Sequence, residues 1–139
     1  MNVIRFLQRK TECSVLHDYK TVQQALRFMR DHGKQAMPMV NQDGFYLGVV
    51  REGDLLWHLL DCGGYEAVKD NTLGSFMEKY NIPALKITAS DEELKHASMR
   101  CPFVPIVDDR DVFVGIVDSK DVAQYFVDQA MAARVVVTA

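Results

Sequence analysis

The chain has 139 residues, 48% of them hydrophobic and 25% charged, ordinary values for a folded protein that buries a core as one globule or two small lobes. Its formal net charge of -3 and pI near 5.8 argue against general nucleic-acid binding through phosphate neutralisation. No apolar run approaches a membrane-spanning length, and the opening MNVIRFLQRK carries no signal-peptide cleavage pattern, so no membrane association and a cytoplasmic location are expected.

Taken in chain order, "CSVL" (Cys13–Leu16) reads as a first strand. Cys13, Cys62 and Cys101 are widely spaced and form no CxxC pair, which fits a reducing compartment. Thr21 and Gln24 then make a capping box, with Val22, Ala25, Leu26 and Met29 on one helical stripe and Gly33 placed to end it. "MPMV" (Met37–Val40), the turn "NQDG" and "FYLGVV" (Phe45–Val50) read as a strand pair whose proline sits near a strand start. A helix follows, with Leu55, Leu56, Leu59 and Leu60 expected to face inward.

The stretch "DCGGYEAVKDNTLGSFMEKY" (Asp61–Tyr80) reads as a connector: Gly63 and Gly64 break the helix, and a short helical turn is expected around Leu73–Tyr80. After it the pattern returns. "ALKI" (Ala84–Ile87) is a strand, Ser90 and Glu93 repeat the capping box, and Leu94 and Ala97 face inward. "FVPIV", "DDRD" and "VFVGIV" repeat the strand pair, and the last helix places Val122, Ala123, Phe126, Val127, Ala130 and Met131 on its stripe. The tail "RVVVTA" reads either as a fraying end or as a strand added to a partner's edge. Met29, Met37, Met39 and Met99 are expected in packing. The four histidines (His17, His32, His58, His96) show no metal-ligand spacing and are expected at surface or helix-face positions, without a metal site.

The return is a repeat. Displaced by 67 residues, Pro38–Asp54 lies on Pro105–Asp121 without a gap, and five of the 17 positions are identical. Each unit is β-α-β-β-α. A sheet with helices on one face must bury the other, so an α/β (α+β) fold is expected, its two units packed sheet to sheet with pseudo-two-fold symmetry. The expected boundaries are a first unit over 1–62, a connector over 63–80, a second unit over 81–133 and a tail over 134–139.

The phrases "MPMVNQDGFYLGVVREGDLLW" and "VPIVDDRDVFVGIVDSKDVAQYF", with the helix opener "TVQQALRFM", resemble a tandem pair of cystathionine-β-synthase (CBS) domains, a Bateman module, and small stand-alone bacterial members of that family. The resemblance covers roughly Met1–Ala133 and implies a homodimer that senses an adenosine-containing ligand in clefts between the units. AMP, ADP, ATP, S-adenosylmethionine and cyclic dinucleotides are the ligands it implies, with no required cofactor, no catalysis, and a regulated protein partner that the sequence does not identify. The alternative is a protein-interaction scaffold that dimerises without nucleotide.

In the family pattern a glycine-led strand is followed by Ser/Thr, two variable residues and an Asp that accepts hydrogen bonds from ribose hydroxyls. The matching Asp positions are Asp54 and Asp121, while Arg51 and Asp118 stand where the hydroxyl residue is expected. Arg51, just before a helix N-terminus, is read as a phosphate contact or as an exposed arginine. Asp118 is read as a cap for its own helix, so the first hinge is the better phosphate candidate. Asp54 and Asp121 are read either as ribose contacts or as favourable first-turn charges. Family matching adds Met37, Pro38, Phe103, Val104 and Pro105 at the strand starts, with Lys10, Thr11 and Cys13 on the approach strand. Phe103 either stacks on a base or packs in the core, and Trp57 is read as a packing or dimer-interface anchor. No nucleophile–base pair or phosphate-cradling glycine loop can be assembled, so an enzyme is not expected.

Overall fold

A computed structural model describes residues 3–77 and 82–138, with side chains on the last helix through residue 134. Its strands are β1 (Leu7–Arg9), β2 (Leu16–His17), β3 (Ala36–Val40), β4 (Tyr46–Arg51), β5 (Leu85–Lys86), β6 (Phe103–Val107) and β7 (Phe113–Asp118). The helices are α1 (Val22–Asp31), α2 (Glu52–Asp61), α3 (Tyr65–Val68), α4 (Asp91–Ser98) and α5 (Ser119–Thr138). One sheet has the order β2-β3-β4 and the other β1-β7-β6-β5. No helix among the described residues is long and apolar enough to cross a membrane.

Local chemistry sets the helix starts. Both expected capping boxes form: Thr21 with Gln24 at α1, and Ser90 with Glu93 at α4. After α1, Gly33 takes a left-handed φ of 62°, and the N–H groups of Gly33 and Lys34 donate to the carbonyls of Arg30 and Met29. That paired closure satisfies two of the helix's last carbonyls. The expected turn near Leu73–Tyr80 is a short 3-10 turn over Leu73–Ser75; its last residues lie outside the described residues.

Strand alternation separates two kinds of burial. Met37, Met39 and Val50 turn toward the helices and pack with Val22, Ala25 and Leu55. Val104, Ile106 and Val117 do the same in the second unit, with Leu94 and Val122. The opposite faces meet each other: Val49, Cys101 and Phe103 form a third buried cluster with Ala36, Tyr46 and Ile116. This is the expected sheet-to-sheet contact.

The pseudo-two-fold is visible atom by atom at the hairpin turns. Tyr46 N–H donates to Asp111 O at 3.1 Å, and Phe113 N–H donates to Gly44 O at 2.9 Å. Both bonds join a residue of one unit to the 67-shifted mate of its neighbour. The rings of Tyr46 and Phe113 stack with centroids 6.4 Å apart. The turns themselves are built alike: Asn41 Oδ1 accepts from the N–H groups of Asp43 and Phe45, as Asp108 Oδ1 does from Arg110 and Val112.

Several expectations fail, each for a packing reason. The first residues do not stay with the first unit: β1 pairs antiparallel with β7, Arg9 opposite Gly115. A Cβ on Gly115 would fall 2.0 Å from Gln8 O, so the glycine is what lets β1 lie there. On α2, Leu55 and His58 are buried, whereas Leu56 (57% exposed) and Leu60 (71%) face outward. His58 is thus an interior residue, stacked on Phe76 with ring centroids 3.6 Å apart. Val127 and Met131 on α5, and Met99, are exposed as well. The tail is helical through Thr138, not a strand.

Candidate functional site

The β3 and β6 starts and the α2 and α5 starts converge where the two units meet. Glu52 N–H donates to Gln35 O at 3.0 Å, and its mate Ser119 N–H donates to Pro102 O at 3.0 Å. Two cavities flank this point and share Gln35, Ala36 and Pro102 in their walls. The first, of about 370 Å³, is completed by Arg51, Glu52, Gly53, Asp54 and Trp57. The second, of about 390 Å³, is completed from several elements, including Gln8, Lys34, Phe103, Asp118 and Lys120. Under the 67-residue shift the first wall maps largely onto the second, so they are the two equivalent clefts of the repeat.

Their chemistry differs. In the first, Arg51 Nε donates to Asp54 Oδ2 at 2.9 Å and Nη2 donates to Oδ1 at 3.1 Å. This bidentate pair occupies both carboxylate oxygens, and the Asp54 hydrogen bond holds the guanidinium's pKa above its ordinary value. The Asp54 side chain is 7% exposed and that of Arg51 41%. Glu52 adds a further negative charge. The sequence-based preference for phosphate at this hinge therefore meets a guanidinium already engaged, beside two carboxylates.

In the second cleft Asp118 Oδ1 accepts from Lys120 N–H at 2.8 Å, the expected helix cap. Lys34 and Lys120 both line this cavity, and neither makes a side-chain hydrogen bond or ion pair among the described residues. The balance is one net negative charge in the first cleft (Arg51, Glu52, Asp54) and one net positive in the second (Lys34, Asp118, Lys120).

The remaining sequence candidates divide. Phe103 is buried between the sheets and reaches the second cavity. With Val104 and Pro105 it also lines a third cavity of about 340 Å³, beside Pro83, His96 and Arg100. Met37 does not reach the clefts: its side chain is 1% exposed in the first unit's core, because odd positions of β3 turn toward the helices. Pro38 is buried opposite Val49 at the sheet contact, outside both cleft walls. Asp121 stands exposed on the first turn of α5 and lines neither cleft, unlike its mate Asp54. Lys10 and Thr11 are exposed on a 3-10 turn. Cys13 is half-buried, its Sγ donating to Arg9 O at 3.2 Å, and burial pushes its thiol pKa up.

Sequence reasoning missed Trp57 as a cleft residue, along with Gln35, Pro102, Lys34 and Lys120. The repeat itself held the signal for two of them, since Gln35 and Pro102 are mates under the 67-residue shift. Behind the clefts, Tyr46 Oη donates to Ile82 O, and burial raises the phenol pKa. Burial likewise raises the Cys101 thiol, which feels Arg51 and Asp54 in opposite senses. Among the described residues no three His, Cys, Asp or Glu side chains are grouped to hold a metal ion.

Residues 10–61 match the model of the CBS domain. No curated protein matches the chain in sequence. Among solved structures, a hypothetical conserved protein from Geobacillus kaustophilus aligns with TM-score 0.80 and 21% identity over 93% of this chain and 98% of that one. The CbpB protein of Listeria monocytogenes, solved in complex with c-di-AMP, aligns with TM-score 0.79 and 18% identity over 94% and 98%. CBSX2, solved in complex with AMP, aligns with TM-score 0.70 and 17% identity over 93% and 98%.

Proposed function

Because the chain has the fold of a CBS-domain pair, we propose that it is a non-catalytic regulatory module that senses an adenosine-containing ligand in the clefts between its two units. The observation that carries this reading is the pair of equivalent cavities meeting at Gln35, Ala36 and Pro102, with complementary charge on their walls. Structural neighbours solved with AMP and with c-di-AMP support the ligand class. Among the sequence candidates, Arg51, Asp54 and Phe103 are the residues retained for binding. Asp54 meets hydroxyls through lone pairs not used by Arg51, a carboxylate having about four acceptor sites. The anionic part of the ligand belongs at Lys34 and Lys120, whose ammonium groups make no ion pair among the described residues.

Calorimetry of the whole chain against AMP, ADP, ATP, S-adenosylmethionine and c-di-AMP tests the proposal. Saturable heat with at least one is expected; none at millimolar concentration with any would remove it. A sensor also needs a ligand that favours one state over another, so the bound form should differ in stability or mass from the free form.

One observation favours the scaffold reading. Leu56 and Leu60 on α2, with Val127 and Met131 on α5, are each more than half exposed, apolar side chains of the kind a second copy would cover. That reading predicts a dimer whose melting temperature is unmoved by every ligand in the panel; a shift with one of them would exclude it.

A further inference from the structure

Resting on the ligand-sensing reading above, we infer that Trp57 is the stacking platform for the ligand's planar ring in the cavity at the start of α2. Trp57 is the chain's single tryptophan, and although it sits mid-helix it is 54% exposed. A helical side chain leans toward the helix N-terminus and covers the turn before its own Cα. One turn back lies Gly53, where an added Cβ would meet Trp57 Nε1 at 4.0 Å. The Nε1 edge of the indole therefore reaches bare backbone at the first turn of α2, and the ring stands in the same cavity wall as Arg51 and Asp54.

The second unit brings Pro102 to that cavity. An indole and a pyrrolidine ring on its walls give a flat heteroaromatic ring apolar surface to cover, while the Arg51–Asp54 pair supplies polar groups. The indole is unspent: it makes no hydrogen bond, ring contact or cation contact among the described residues. The device belongs to one cleft only, because the mates of Gly53 and Trp57 in the second unit are Lys120 and Gln124. One cleft thus offers a stacking surface and the other an anion site, with shared walls between them. Leu56 and Leu60 are exposed on the same helix but do not line the cavity, which separates Trp57 from the apolar side chains a second copy would cover.

The test titrates AMP into wild type, Trp57→Phe and Trp57→Ala, reading tryptophan emission on the wild type and calorimetry and light-scattering mass on all three. Emission should change saturably over the same AMP range as the heat. Trp57→Ala should weaken binding about 5- to 100-fold and Trp57→Phe much less, at unchanged mass. Undiminished AMP binding by Trp57→Ala, with wild-type emission flat, would overturn the inference and leave the sensing reading standing. A changed mass with unchanged AMP affinity would assign Trp57 to a dimer interface and overturn it too. If AMP gives no heat but another ligand of the panel does, the same three proteins are titrated with that ligand. No heat from any ligand takes down both readings together.

Discussion

Replacing Arg51 by methionine removes the guanidinium and leaves the Asp54 carboxylate, 7% exposed, facing its cavity without a partner. Two unit charges about 4 Å apart attract by about 1 kcal/mol in water and about 4 kcal/mol at an effective dielectric near 20. The 41% exposure of the Arg51 side chain moves the pair toward the lower part of that range, since solvent screens a half-exposed partner. A coupling of about 1–2 kcal/mol is expected. The single variant loses that coupling and in addition strands a desolvated anion, for a total of about 2–3 kcal/mol. Asp54→Asn keeps one acceptor oxygen and should cost less. Urea denaturation of wild type, Arg51→Met, Asp54→Asn and the double variant closes a thermodynamic cycle. Non-additivity below about 0.5 kcal/mol, or stabilisation by Arg51→Met, would refute the view that this hinge is held by a bidentate pair.

Lys34→Gln with Lys120→Gln should weaken AMP about 10-fold or more while leaving adenosine within about 3-fold, by calorimetry, because two charge-assisted contacts go only to the anionic part; equal losses for both ligands would remove these lysines from the anion site. Gly115→Ala drives a methyl onto Gln8 O and should cost about 2–4 kcal/mol. Hydrogen exchange should show lost protection at Leu7–Arg9 with β3 and β4 unchanged; full protection there would contradict the close approach. The Asp108 pKa lies below its ordinary value because the N–H groups of Arg110 and Val112 bond its carboxylate. A depressed folded-state pKa contributes stability above the unfolded value of 3.8 that is lost as pH falls through the folded value. Asp108→Asn, the residue already present at the mate position Asn41, should keep the turn and flatten this acid loss; an unchanged acid limb in pH-dependent denaturation would contradict it.

Much of the fold was legible in the chain because its signals are local. Thr21 with Gln24 and Ser90 with Glu93 satisfy orphan N–H groups within one turn, whatever surrounds them. The apolar run "FVPIV" marked a buried strand, but with all five residues apolar it gave no sign of which face would meet the helices and which the other unit. The α2 stripe was misread because four leucines in six residues fit more than one helical face, and only packing against α3 and Phe76 chose His58 over Leu56 and Leu60. Nothing near Leu7 announces that β1 will join the second sheet; the cue is a glycine more than a hundred residues later, at Gly115.

The sequence by itself determined that there are two copies of one β-α-β-β-α unit, where their helices begin, and which hinge positions are equivalent. Those properties depend on hydrogen bonds and apolar spacing within a few residues. Only the tertiary structure decided that Arg51 closes on Asp54, that Asp54 is buried while Asp121 faces solvent, and that Trp57 reaches back to Gly53 at a cleft wall completed by Pro102. Each of these depends on which side chains the fold brings together and which it leaves in water. Equivalent positions in a repeat share a backbone, but their charges and rings act on whatever the opposite unit places beside them.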